Sequence, residues 1–161
     1  MNIRTLFLAS LTMLVSLIVA IIGSAAPSRS RQPDYGDRAA ALNARTSVPA
    51  GVMSTLRRAC FDCHSYETRW PWYSALPVAS WLVERDVEEA RGQLNFSRWA
   101  HYDSYDRADM LDKVCDLATS REMPVWQYRL LHSEARLSDM DVAQLCAWSR
   151  REAARLTQGG S

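Results

Sequence analysis

The sequence predicts an all-α domain standing behind an N-terminal hydrophobic helix. Three observations predict it. No stretch of useful length alternates apolar and polar residues as a half-buried strand would. Apolar residues recur at helical spacing after Pro49, after Pro77, around Met110 and after Ser138. The segment from Leu6 to Ile22 carries no charge, close to the ~20 apolar residues that cross a bilayer as a helix.

Taken in order, residues 1–26 are a signal anchor or transmembrane helix, with Arg4 as the basic flank. A cleaved signal peptide is the competing reading, since Ser24, Ala25 and Ala26 are small enough for a peptidase. The apolar run outlasts the usual apolar region of about 7–15 residues, and Pro27 follows the cut position, so the anchor is favoured. Either way the rest of the chain leaves the cytosol. Residues 27–48 read as a linker, with Pro, Ser, Arg and Asp and no apolar period. Residues 49–157 form the folded domain, and 158–161 are a tail. A core that small is thin and benefits from a crosslink or a cofactor. The formal net charge of +1 provides no broad field for nucleic acid. The six Trp, many for 161 residues, suit packing on flat apolar groups.

Within the domain, Pro49 opens a helix with Val52, Leu56 and Cys60 on one face. Pro77 opens a second with Trp81, Val83, Val87 and Ala90 inward, and Gly92 stops it. "NFSRW" reads as a turn burying Phe96 and Trp99. A third helix spans about Asp106 to Ala118, with Met110, Leu111, Val114 and Leu117 inward. Pro124 breaks the chain and opens a short turn through Leu131. Ser138 and Asp141 form a capping box that starts a final helix bearing Val142, Leu145, Cys146, Trp148, Ala153 and Leu156.

The stretch "RRACFDCHSYETRWPWYS", Arg57 to Ser74, carries the chemistry. Cys60-Phe-Asp-Cys63-His64 fits C-x-x-C-H, the attachment signature of c-type haem. Two thiols one turn apart reach the two vinyl groups, and the next residue supplies an imidazole to the iron. A thioredoxin-like pair would want a βαβ context, which is absent. Half a zinc site would want further ligands at sensible spacing, and Cys115 and Cys146 stand far apart. Trp70, Trp72 and Tyr73 are suited to walling a porphyrin, though the same rings can simply fill a core.

The blocks C-x-D-C-H-S, W-P-W-Y-S, P-x-x-W, L-N-F-S-x-W and M-P-x-x-x-Y-x-x-x-H-x-x-A-x-L-S, from Cys60 to Ser138, resemble the bacterial haem-binding domain family of small C-x-x-C-H proteins. The resemblance implies a small cytochrome c-like helical haem domain, exported or membrane-attached, with one covalently bound haem c. It does not imply a reaction.

His64 leaves one axial position of the iron to fill. Met123 sits in "REMPVW", in a loop stiffened by Pro124 and similar to the Met-Pro distal loop of monohaem cytochromes c; it is the first candidate. His132 is the second, and an open site the third. Ordinary packing remains open for Met123, as does a structural hydrogen bond for His132. His101 reads as surface. The other ring nitrogen of His64 needs an acceptor, expected as a backbone carbonyl in Trp70–Pro77. Cys115 and Cys146 form a disulfide in an oxidising compartment or stay as two buried thiols.

No catalytic residues emerge, because the carboxylates are scattered at solvated spacing. One-electron transfer is the leading function, with redox proteins, including respiratory complexes, as partners and the N-terminal helix holding the membrane. The domain would face the periplasm from the bacterial inner membrane, or be free in the periplasm if the segment is cut. A peroxidase-like enzyme or accessory subunit, or a haem-based sensor with an open iron, is the alternative.

Overall fold

The computed structural model describes residues 3–23 and 38–158. Eight helices occur among them: α1 Ile3–Gly23, α2 Leu42–Arg45, α3 Ala50–Ala59, α4 Phe61–His64, α5 Pro77–Gln93, α6 Ser104–Thr119, α7 Trp126–Leu131 and α8 Asp139–Gln158. Tighter 3-10 turns at Arg38–Ala40, Trp72–Ala75, Phe96–His101 and Ser133–Ala135 join them, and the described residues contain no strand. The all-α expectation holds.

In α1 the described side chains from Arg4 to Ile18 are exposed. Over the described residues no helix is long and apolar enough to cross a membrane. The cleavage position after Ala26, the first part of the linker at 27–37 and the last three residues of the tail lie outside the described residues.

From Arg38 onward the expected linker is part of the domain. Ala40, Leu42 and Thr46 are buried. Two long-range hydrogen bonds explain why. Trp99 Nε1 donates to Thr46 Oγ1 at 3.0 Å, and Trp148 Nε1 donates to the Ser47 carbonyl at 3.3 Å. A buried indole N–H left unpaired would be costly, so each Trp ties this segment to the core it occupies.

That core joins Leu42, Val52, Leu56, Phe61, Phe96, Trp99, Leu111, Leu145, Trp148 and Leu156. α6 and α8 supply much of it by packing along each other. Their starts are capped as the sequence requires. The Asp103 side chain accepts from the Asp106 N–H at 2.8 Å. Ser138 and Asp141 bond reciprocally, with Asp141 N–H donating to Ser138 Oγ at 3.1 Å and Ser138 N–H to Asp141 Oδ2 at 2.8 Å.

α5 departs from expectation. Val87 is buried, but Trp81 is 61% exposed rather than inward. Glu84 is buried instead, with Ser80 Oγ donating to it at 3.3 Å. The helix runs through Gly92 and ends at Gln93.

Cys115 and Cys146 form a disulfide between α6 and α8, across a Cα–Cα distance of 4.6 Å and a sequence separation of 31. Closing a loop of that size stabilises a fold by about 3–4 kcal/mol in the chain-entropy account. Replacing both cysteines by Ser is expected to lower the domain's unfolding free energy by about 2–4 kcal/mol, read as a lower urea midpoint. An unchanged midpoint would contradict this role.

Candidate functional site

The site begins where α3 ends. Cys60 leaves helical geometry, and its carbonyl accepts the N–H groups of Cys63 at 3.2 Å and His64 at 2.8 Å. This closes α4 as a single turn on Cys60, so Cys60, Cys63 and His64 are gathered within one turn of chain. Phe61 fixes the turn from inside: it is buried and stacks on Phe96 with ring centroids 5.2 Å apart. Cys60 and Cys63 are unpaired thiols. Burial, reinforced by the charge of neighbouring groups, pushes Cys60 up to about 12 and Cys63 up to about 11, so both are neutral at physiological pH.

His64 is held from one side only. Its Nδ1 lies 3.1 Å from the Ala90 carbonyl and 3.0 Å from the Leu94 carbonyl, at the end of α5. A helix C-terminus presents carbonyls without intrahelical partners, and Leu94 offers one of these. Carbonyls only accept, so Nδ1 carries the hydrogen and Nε2 keeps its lone pair. Burial lowers the ring's pKa, outweighing the two backbone bonds, and favours the neutral imidazole. The expected acceptor in Trp70–Pro77 is thus corrected to Ala90 and Leu94.

Asp62, between the two cysteines, is a residue the sequence reading passed over. It is buried, and its carboxylate accepts from Arg69 N at 3.0 Å, Arg69 Nε at 3.2 Å, Arg69 Nη2 at 3.1 Å and Tyr128 Oη at 2.7 Å. These bonds fold the chain after His64 back and hold α7 against the cysteine–histidine turn. Arg91 closes the same loop from α5, donating to the Ser65 carbonyl and to Thr68 Oγ1, each at 2.9 Å.

The contacts continue through α7. Tyr128 stacks on His132, with centroids 4.1 Å apart and rings 13° from parallel. His132 Nε2 lies 2.9 Å from Tyr73 Oη, and its Nδ1 lies 3.2 Å from Glu134 Oε1. Both ring nitrogens of His132 are therefore engaged. Burial raises the Tyr128 phenol, and the Asp62 carboxylate raises it further, which keeps it a donor.

Of the other residues singled out from sequence, Tyr73 joins this network, Trp70 is half-buried, and Trp72 meets Tyr73 edge-on at 5.9 Å with most of its surface exposed. Met123 lies between α6 and α7, outside the core, with its N–H donating to the Leu117 carbonyl at 3.1 Å. His101 is exposed. Cys115 and Cys146, spent on their disulfide, are not available to complete a zinc site with Cys60 and Cys63.

Outside α1, exposed large apolar side chains gather in two stretches: Trp72, Leu76, Val78, Trp81 and Leu82 in one, and Met123, Val125, Trp126, Leu130 and Leu131 in the other. The Tyr73–His132 hydrogen bond joins these stretches. Exposed apolar side chains grouped in this way are the kind of surface a ligand or partner covers. Two free thiols, an imidazole with Nε2 available and bare aromatic surface fit a haem held by thioethers and an axial histidine. An open depression of about 320 Å3, lined by Trp126, Arg129, Leu130, Arg136 and Leu137, borders the second stretch and includes none of the cysteine–histidine turn.

Comparison with known proteins agrees on the cofactor. A family model described as a haem-binding domain matches residues 17–151. No curated protein and no solved structure matches the chain.

Asp62→Ala is expected to cost about 2–3 kcal/mol of stability, because Arg69 and Tyr128 lose a buried charged acceptor. Chemical denaturation measures this, and a loss below about 0.5 kcal/mol would contradict the hub role of Asp62.

Proposed function

We propose, from the premise that this chain belongs to the haem-binding domain family and is a haem-binding protein, that it carries one covalently attached haem c and passes single electrons. The observation that carries the proposal is the α4 turn: two unpaired thiols beside an imidazole whose Nδ1–H is committed to Ala90 and Leu94. In attachment, the Cys60 and Cys63 thiols each add across a vinyl double bond. The sulfur takes one carbon, the thiol hydrogen takes the other, and nothing leaves.

When bound, the haem supplies an iron that alternates between two oxidation states. The residues of the turn would hold that iron in place. His64 presents Nε2 in a fixed direction, because rotation of its ring would break two hydrogen bonds. Met123 would supply the second protein ligand to the iron. The engagement of both His132 nitrogens supports this choice, since neither is free for iron. Two protein ligands suit outer-sphere electron transfer and leave no position for a substrate. Trp70, Trp72 and Tyr73 would wall the porphyrin.

The same reading places the domain in the periplasm, tethered to the inner membrane by the segment up to residue 26, where it would exchange electrons with redox partners such as respiratory complexes. The uncharged run from Leu6 to Ile22 supports the tether. The Cys115–Cys146 disulfide supports an oxidising compartment.

Co-expression with haem-c maturation proteins is expected to give a band that stains for haem peroxidase activity on a denaturing gel, and Cys60→Ala with Cys63→Ala should abolish the stain. An unstained wild type would overturn covalent attachment. Met123→Ala is expected to remove a near-infrared Met–Fe band and to open the iron to added ligands. An oxidised spectrum unchanged by the substitution would exclude Met123 as a ligand.

A further inference from the structure

The contacts of α7 assign a role to residues outside the C-x-x-C-H attachment signature itself. Tyr128 and His132 stand one turn apart on the same side of α7 and its end. Tyr128 reaches down to Asp62, inside the cysteine–histidine turn. His132 reaches across to Tyr73, in the aromatic stretch. The two rings stack face to face, so one rigid unit joins three parts of the chain.

Glu134 is held as a carboxylate, its pKa lowered by its own backbone N–H and by His132. An ionised carboxylate only accepts, so His132 Nδ1 donates to it, and in the neutral imidazole Nε2 accepts from the Tyr73 hydroxyl. At the other end the Tyr128 hydroxyl donates to Asp62. Each bond therefore has one satisfied direction, and the single-atom changes Tyr128→Phe and Tyr73→Phe each remove one bond while keeping the ring.

We propose that Asp62, Tyr128, His132 and Tyr73 are positioning residues: they dock α7, and with it the Met123-Pro124 loop that leads into α7, onto the turn that bears Cys60, Cys63 and His64. This rests on the reading of Met123 as an axial ligand. The spacing of Met123, Tyr128 and His132 then has one explanation. In that reading the methionine would be the second protein ligand to the iron, while the tyrosine and histidine hold the segment that carries it. His132 acts through Tyr73 and Tyr128, not on the metal.

The test uses the full chain matured with its haem. In Tyr128→Phe and in Tyr73→Phe, haem staining on a denaturing gel should persist, while carbon monoxide binds the ferrous protein about tenfold faster than in wild type, the scale of one lost hydrogen bond. The Met–Fe band should weaken in parallel. Rates and spectra within about twofold of wild type in both variants would overturn the proposal, even if their melting temperatures fall, because a purely stabilising role predicts that fall alone. A stained wild type that binds carbon monoxide without delay would remove the Met123 ligand and this inference with it. An unstained wild type is the separate failure, that of covalent attachment.

Discussion

The shared hydrogen bond from His64 Nδ1 to the Ala90 and Leu94 carbonyls is the constraint on which the site depends. It fixes the tautomer, leaves Nε2 as the free lone pair, and locks the ring to the end of a long helix. A histidine following two cysteines can point in many directions. This one cannot turn without breaking two bonds in a buried setting, where the loss would be costly. The direction of α5 is thereby part of the site, although α5 contributes no conventional ligand of its own. Histidines that bind metals are commonly steadied in this way through the other ring nitrogen.

Around that bond the molecule divides its tasks. α6 and α8, joined by the Cys115–Cys146 disulfide, build the core. α4 and the end of α5 hold the reactive turn. The Trp72–Ala75 turn, the start of α5 and the segment from Met123 to Leu131 leave their apolar side chains uncovered. A domain of this size would gain stability by burying those residues in its own core; it leaves them for something to lie against. Asp62 sits where these parts meet, and a charged carboxylate is tolerated there because four donors satisfy it.

Much of this was legible in the sequence, and the exceptions have physical reasons. The faces of α3 and α8, the capping box at Ser138 and Asp141, and the burial of Phe96 and Trp99 follow from local period and cap chemistry, and the structure has them. The cysteine–histidine turn follows from spacing alone. The segment from Ala40 to Thr46 was not legible, because its order comes from indoles 53 and 101 residues further along the chain. The acceptors of His64 lie 26 and 30 residues away and become visible only when the end of α5 is placed. Trp81 was assigned inward because helical period distinguishes an apolar face without saying what covers it. Asp62 stands in the C-x-D-C-H-S block, but its partners Arg69 and Tyr128 lie 7 and 66 positions on, and only the folded chain brings them to its carboxylate.

The most direct test of the central claim is the intact mass of the denatured full chain after co-expression with haem-c maturation proteins. Thioether bonds survive denaturation, so the account predicts the mass of the polypeptide plus one haem, with His64 required for a low-spin spectrum in the native state. The mass of the bare polypeptide, from cells able to perform the attachment, would contradict it.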